Sequence, residues 1–265
     1  MKKAILLVSF GTSVEEARQR QILPLEKAVR QAYEPKAVVR FAYTSPTIRG
    51  ILARRGISIP SPEEALTSLA QSGVTHLLVQ PTHLIPGQEY EGLRALCSAW
   101  AGRFRQLTLG LPLISSPEDM TALAKILSRA FPTVPGQAVL FAGHGTSHFA
   151  NAAYPAMETA FRILGREDVF IAAIEGWPTL EDAVRWLQKH ECKAVLLAPL
   201  MLVAGDHAQN DIAGEDPKSW KSVLTARGFQ TKCRLSGLGE MPEIHRIYLS
   251  HIENADRGAA EGGIS

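Results

Sequence analysis

The chain has 265 residues, room for about two domains, and with 46% hydrophobic and 20% charged residues it can bury a sizeable core, which argues against disorder, collagen or a coiled coil. Lys and Arg total 28 against 26 Asp and Glu, so a formal charge of +2 gives no electrostatic reason to expect a nucleic acid or a membrane as partner and leaves a small molecule. Cys97, Cys192 and Cys233 are far apart and in no CxxC pattern, so neither a disulfide framework nor a thiolate metal site is expected, and a reducing, cytoplasmic location is.

In chain order, residues 3–9 open the pattern. The Met1-Lys2-Lys3 start imitates a signal peptide, but its apolar run is too short and Glu15, Glu16, Arg18 and Arg20 follow at once, so the segment reads as a first strand. Residues 37–43, 75–80 and 106–111 are further short, almost continuously apolar runs, as a strand buried on both faces requires. Between them lies helix-start chemistry. Ser61 can cap a helix, Pro62 can take its first position, Glu64 can complete a capping box, and Gly73 can close it. Ser116-Pro117-Glu118-Asp119 has a similar form.

Residues 137–142, 169–174, 194–198 and 231–235 supply four more strands. The longest apolar stretch, residues 194–205, holds a proline and is only about half of the roughly 20 residues a membrane span needs. Beyond Glu240, the residues Ile244, Ile247, Tyr248 and Ile252 mark one face of a tail helix over residues 240–258, expected to pack back on the first domain. Strand alternating with helix throughout predicts parallel sheets.

The chain also repeats itself at a separation of about 130 residues, which reads as a domain duplication. Lys3 to Ser13 lies over Gln137 to Ser147, ending in Gly11-Thr12-Ser13 over Gly145-Thr146-Ser147. His76 to Pro81 with Leu84-Ile85-Pro86-Gly87 lies over Ala194 to Pro199 with Leu202-Val203-Ala204-Gly205. More weakly, Ala42-Tyr43-Thr44 lies over Ala173-Ile174-Glu175. The expected fold class is therefore α/β, two similar doubly wound four-stranded parallel-sheet domains. They are placed at residues 1–120 and 121–239, with the boundary somewhere in 115–135 and the metal site in the second.

Ligands of open parallel sheets bind outside the carboxyl ends of the strands. In the second half those ends bring His144, Glu175 and, through the Leu200 to Gly205 segment, Asp206 and His207 to one edge. Two imidazoles and a carboxylate suit a divalent first-row metal such as Co, Ni, Fe or Zn and leave coordination positions open. The same groups can take protons, imidazole near neutral pH and a glutamate if desolvation raises it. The equivalent positions in the first half are Phe10, Thr44 and Glu89, so one domain is specialised. Taken singly, each residue has a plainer use: His144 as a hydrogen-bonded structural residue, Glu175 as a helix-start cap, His207 as a loop residue. Their convergence makes the site.

His83, after the third strand, either lines the crevice or packs, and Glu89 either faces it or is a solvated loop carboxylate. His76 at a strand start, His190 at a helix end, and His245 and His251 on the tail helix read as structural or solvated, and His148 as part of the helix that follows. No GxGxxG follows the first strand, Ser9-Phe10-Gly11-Thr12-Ser13 is not a Walker A loop, and no GxSxG elbow occurs, so neither nucleotide dependence nor a serine nucleophile is indicated. Arg49, Arg54 and Arg55 could meet acidic groups on a substrate or stay solvated.

Ser9-Phe10-Gly11-Thr12-Ser13, Gly143-His144-Gly145 and above all Pro199-Leu200-Met201-Leu202-Val203-Ala204-Gly205-Asp206-His207 resemble the anaerobic cobalt chelatases of cobalamin biosynthesis. The likeness runs along almost the whole chain, including Leu235-Ser236-Gly237-Leu238-Gly239-Glu240. It implies a class II chelatase, a lyase related in fold to protoporphyrin ferrochelatase, that inserts Co²⁺ as substrate metal into sirohydrochlorin with loss of two protons. It implies no nucleotide and no organic cofactor. The metal-site and catalytic residues carried over are His144, Glu175 and His207, and those placed at the cleft for substrate binding are Phe10, Ser13, His83 and Glu89. On this reading the macrocycle binds between the two halves, its eight carboxylates met by cations such as Arg49 and Arg54.

Other readings stay open: an iron or nickel chelatase acting on the same macrocycle or its reduced precursor, a non-catalytic metal or tetrapyrrole carrier, and a duplicated regulatory domain. A homo-oligomer stays open as well.

Overall fold

The computed structural model of the chain describes residues 2–205 and 208–260. Among the described residues, eight short strands alternate with helices and form two four-stranded sheets. The first holds β1 (Lys3–Ser9), β2 (Val38–Tyr43), β3 (His76–Pro81) and β4 (Gln106–Leu109) in the order β2-β1-β3-β4. The second holds β5 (Gln137–Gly143), β6 (Val169–Ala173), β7 (Ala194–Leu200) and β8 (Gln230–Cys233) in the order β6-β5-β7-β8. Every ladder is parallel. The expected strands fall within two residues of those observed, because helices on both faces oblige β1, β3, β5 and β7 to be apolar nearly throughout.

Contacts divide the chain into two compact units, one of Met1–Ser115 with the tail from Met241, the other of Ser116–Glu240. Within the first, Leu6, Val8, Leu66, Leu77 and Val79 are buried in one core; within the second, Leu140, Ala142, Val184, Val195 and Leu197 are. Burying each Val or Leu contributes about 1.5–3 kcal/mol relative to exposure. In both sheets the connections leave the first strand in opposite directions, so a crevice opens at the carboxyl ends of β1 and β3, and likewise of β5 and β7.

Helix starts follow the side-chain chemistry. Ser61 accepts from the Glu64 amide while the Glu64 carboxylate accepts from the Ser61 amide, the full capping box, and Gly73 follows that helix with φ +77°. Ser116 caps the helix Pro117–Ala130 by accepting from the Asp119 amide.

The duplication is visible in backbone detail. Thr12 Oγ1 accepts from the Val14 amide and Thr146 Oγ1 from the His148 amide, the same turn in both units. The sequence register of the second strands needs a correction of one residue. The Thr44 and Ser45 amides donate to Ser9 and Phe10, and the Ile174 and Glu175 amides to Gly143 and His144. Ser45, rather than Thr44, is the counterpart of Glu175.

The tail helix Pro242–Ala260 packs on β3, β4 and the helix Leu23–Tyr33. Its Ile244, Tyr248 and Ile252 are fully buried, and the Tyr248 hydroxyl donates to the Thr82 carbonyl at 2.8 Å with the His83 carbonyl at 3.3 Å. Tyr248→Phe leaves a buried carbonyl short of a donor at the exit of β3 and is expected to cost about 1–2 kcal/mol. Urea unfolding of wild type and variant measures it. None of the described helices is long and apolar enough to cross a membrane.

Candidate functional site

The site grows from two loops at the carboxyl edge of the second sheet. β5 ends at Gly143 and β6 at Ala173, so His144 and Glu175 stand just beyond their strands, one and two residues on. The Glu175 amide donates to the His144 carbonyl at 2.8 Å, which sews the loops together at the residues of interest. Both residues are exposed, so Glu175 is not the desolvated carboxylate that a buried strand end would have made it. Nor does it cap a helix, a role taken by Thr179 for the helix Leu180–Lys189.

The tight spacing depends on glycine. Gly145 has φ +86°, a left-handed conformation, and a Cβ there would lie 2.7 Å from the Glu175 carbonyl carbon and 2.8 Å from the Gly176 nitrogen. On the other side of the loop, a Cβ on Gly143 would enter the Tyr154 ring, whose hydroxyl accepts from the Gly145 amide at 3.2 Å. Burial raises the Tyr154 pKa, so it remains a neutral phenol and a fixed post under the Gly143-His144-Gly145 turn.

The imidazole orientation bears on chemistry. His144 Nδ1 lies 3.1 Å from the Gly145 carbonyl oxygen. A carbonyl can only accept, so Nδ1 is the donor in this contact, and Nε2 is the ring nitrogen that would be offered to a metal. An imidazole and a carboxylate thus stand on adjoining loops at one edge of the sheet. The third expected donor, His207, with Asp206, lies outside the described residues. Among the described residues no group of three His, Cys, Asp or Glu side chains is close enough to hold a metal ion.

In the first unit the same edge is differently furnished. Phe10, in the place of His144, is 50% exposed, a large apolar ring facing solvent. Ser13 is half-buried, and its carbonyl accepts from Arg55 at 2.5 Å, which anchors the turn. Glu89 is not a loop residue: it lies in the first turn of the helix Gln88–Trp100 and accepts from the Thr44 hydroxyl at 2.9 Å, tying the β3 exit to the β2 exit. Arg49 pairs with Glu64 at 3.5 Å.

His83 follows β3 and sits at the repeat position of Met201; the Leu113 amide donates to the His83 carbonyl as the Leu238 amide does to Met201. Although the residue as a whole is partly exposed, both ring nitrogens are buried and neither has a hydrogen-bond partner among the described residues. Burial pushes its pKa down to about 4, so the ring is neutral at physiological pH. The unfolded chain takes up this proton near pH 6.5 and the folded chain only near 4, so the folded state loses stability as the pH falls through that window. Replacing His83 by methionine, the residue of the other repeat, is expected to flatten that loss; unfolding in urea at pH 7 and pH 4.5 compares the two proteins.

The remaining histidines bear on scaffold. His76 begins β3, His190 ends the helix Leu180–Lys189, and His251 bonds the Leu111 carbonyl from the tail helix. His148 does not enter the following helix but caps it, with Nδ1 accepting from the Ala150 amide at 3.1 Å. Sequence reasoning missed four residues at the second edge: Tyr154, Asn151, and the exposed Phe149 and Trp177, at 89% and 59% exposure. The one available signal was the Gly143/Gly145 pair, since glycines flanking a single residue invite a ring to pack close.

A family model described as cobalt chelatase (CbiK) matches residues 3–257. Similar proteins include the sirohydrochlorin cobaltochelatase of Salmonella typhimurium, 37% identical over 265 residues that cover 98% of this chain and 99% of that protein. The sirohydrochlorin cobaltochelatase CbiKC of Nitratidesulfovibrio vulgaris is 36% identical over 258 residues, 96% of this chain and 90% of that protein. Among solved structures, SirB from Bacillus subtilis with Fe³⁺ superposes with a TM-score of 0.70 at 17% identity, covering 99% of this chain and 98% of that one. The sirohydrochlorin chelatase SirB from Bacillus subtilis subspecies spizizenii, in complex with cobalt, superposes at 0.66 with 15% identity, covering 98% of each chain. At such identities these two likenesses bear on the fold.

Proposed function

The chain belongs to the cobalt chelatase (CbiK) family, and from that membership we propose that it is a sirohydrochlorin cobaltochelatase, a lyase that inserts Co²⁺ into sirohydrochlorin without a nucleotide or organic cofactor, in anaerobic cobalamin biosynthesis. The observation that supports the assignment most directly is that His144 and Glu175 stand on loops joined by a backbone hydrogen bond, with His144 Nδ1 turned to the Gly145 carbonyl. His207 completes the donor set by its family position. The three free thiols fit a reducing compartment, and we assign the enzyme to the cytoplasm.

The chemistry asks two things of the protein. Co²⁺ must be held weakly enough to exchange its protein donors for pyrrole nitrogens one at a time, and two N–H protons must leave the macrocycle as the metal enters. An imidazole and a carboxylate in partial contact with solvent serve both ends: they bind as neutral or anionic donors, and once the metal has moved on they accept the released protons and pass them to water. Phe10 offers an apolar ring to the macrocycle face, Ser13 and Glu89 offer polar contacts, and the orphaned nitrogens of His83 gain a partner when substrate arrives.

The test follows absorbance of sirohydrochlorin under anaerobic conditions with Co²⁺, Fe²⁺ and Ni²⁺ side by side, and with the reduced precursor as a second substrate. Turnover well beyond one equivalent, fastest with Co²⁺ and slowed by His207→Ala, is the expected result. Stoichiometric binding without turnover would instead make the protein a carrier.

A further inference from the structure

The loops that present His144 and Glu175 are braced by a third residue. Asn151, in the short 3₁₀ turn Phe149–Ala152, accepts from the Thr146 amide through Oδ1 at 3.2 Å and donates from Nδ2 to the Trp177 carbonyl. One side-chain amide therefore grips the β5 exit two residues after His144 and the β6 exit two residues after Glu175. Gly176 makes room, since a Cβ there would collide with Asn151 Oδ1. The brace is itself anchored, because the Asn151 amide donates to the His148 carbonyl at 2.9 Å. We propose that Asn151 is a positioning residue, which sets the separation of His144 and Glu175 and thereby the affinity of the site for the incoming divalent ion.

Comparison of the repeats separates this role from general scaffolding. Both units carry the same backbone bonds between the exits of their first two strands and the same threonine turn. At the offset that superposes Thr12 on Thr146, the place of Asn151 is taken in the first unit by Ala17, a buried residue with no polar side chain. Where the loops carry Phe10 and Ser45 the fold closes this edge without a side-chain amide, the turn being held instead by Arg55 on the Ser13 carbonyl. The amide occurs in the unit whose loops carry two candidate donors. Its chemistry is also specific, because one side chain must accept at one end and donate at the other. Aspartate has the shape but faces the Trp177 carbonyl with a second acceptor.

The inference rests on the chelatase reading, and the experiment separates the two. Co²⁺ is titrated into wild type, Asn151→Asp and Asn151→Ser without macrocycle, and binding is read from the visible d–d absorption of the ion, with thermal unfolding measured in parallel. Both variants are expected to bind Co²⁺ about 10–100-fold more weakly, as loss of an orienting hydrogen bond does at metal sites, with an altered d–d band. In steady state the KM for Co²⁺ rises while the KM for sirohydrochlorin stays within twofold. Variants that lose thermal stability but keep wild-type Co²⁺ affinity and band shape would reduce Asn151 to a structural residue and overturn the proposal. A wild-type protein that neither binds Co²⁺ nor turns over would overturn the chelatase reading, and the inference with it.

Discussion

Changing His144 to alanine is expected to lower kcat/KM for Co²⁺ insertion by about 10²–10⁴, the range lost when a positioned acid–base group is removed, while thermal stability changes little. The two effects separate because the residue divides its labour. Its backbone is structural, with the carbonyl accepting from the Glu175 amide, and alanine keeps that bond. Its side chain is exposed, and the contact it makes with Gly145 is to the carbonyl of the next residue. Truncation therefore leaves no cavity and removes a donor whose Nε2 would both hold the metal and take a proton. Anaerobic steady-state assays across Co²⁺ concentrations, with a melting curve for each protein, check both halves. Near wild-type turnover in the variant would remove His144 from the chemistry.

Gly145→Ala should act in the opposite manner, through the fold. The position needs φ +86°, which costs an L-residue about 1–2 kcal/mol, and the new methyl would press on the Glu175 and Gly176 backbone at 2.7 and 2.8 Å, adding about 1–3 kcal/mol of overpacking. Those atoms belong to main chain and cannot swing aside. A loss of about 2–5 kcal/mol follows, which lowers the transition of the second unit by roughly 10–20 °C, and what folded protein remains has its two donor loops forced apart. Gly165→Ala is the control. Its φ of +75° is similar but a Cβ there meets nothing within 4 Å, so conformational strain acts by itself. Calorimetry on the two variants isolates the steric part; equal melting points would show that the loops give way without cost.

The strands were legible because burial on both faces leaves little freedom of composition: the runs at residues 3–9 and 137–142 could hardly be anything else. Capping was legible too, as at Ser61 and Glu64, since the same side chains that signal a helix start form its bonds. What failed was anything decided by backbone contacts between distant segments. The second-strand register slipped by one because Ala42-Tyr43-Thr44 and Ala173-Ile174-Glu175 share little, and the bonds that fix it, Ser45 to Phe10 and Glu175 to His144, are main chain to main chain. Asn151 and Tyr154 were invisible for the same reason, since each serves amides or carbonyls of other loops and no spacing announces it. His144 and Glu175 could be nominated because strand ends in a parallel sheet converge by topology. His83 could be nominated in the same way, but its orphaned nitrogens could only be seen once its neighbours were in place.

The tail helix has a bearing on how the protein is made. Tyr248 and its neighbours close the core of a sheet whose β1 begins at Lys3, so the earliest strands leave the ribosome more than two hundred residues ahead of the segment that seals them. The unit of Ser116–Glu240 is continuous and can condense as it emerges, while the first sheet must wait, unsealed, for the helix Pro242–Ala260 to be made. Of the two units, the one begun earlier is the one closed later, and chains truncated within Pro242–Ala260 should expose its apolar surface to chaperones.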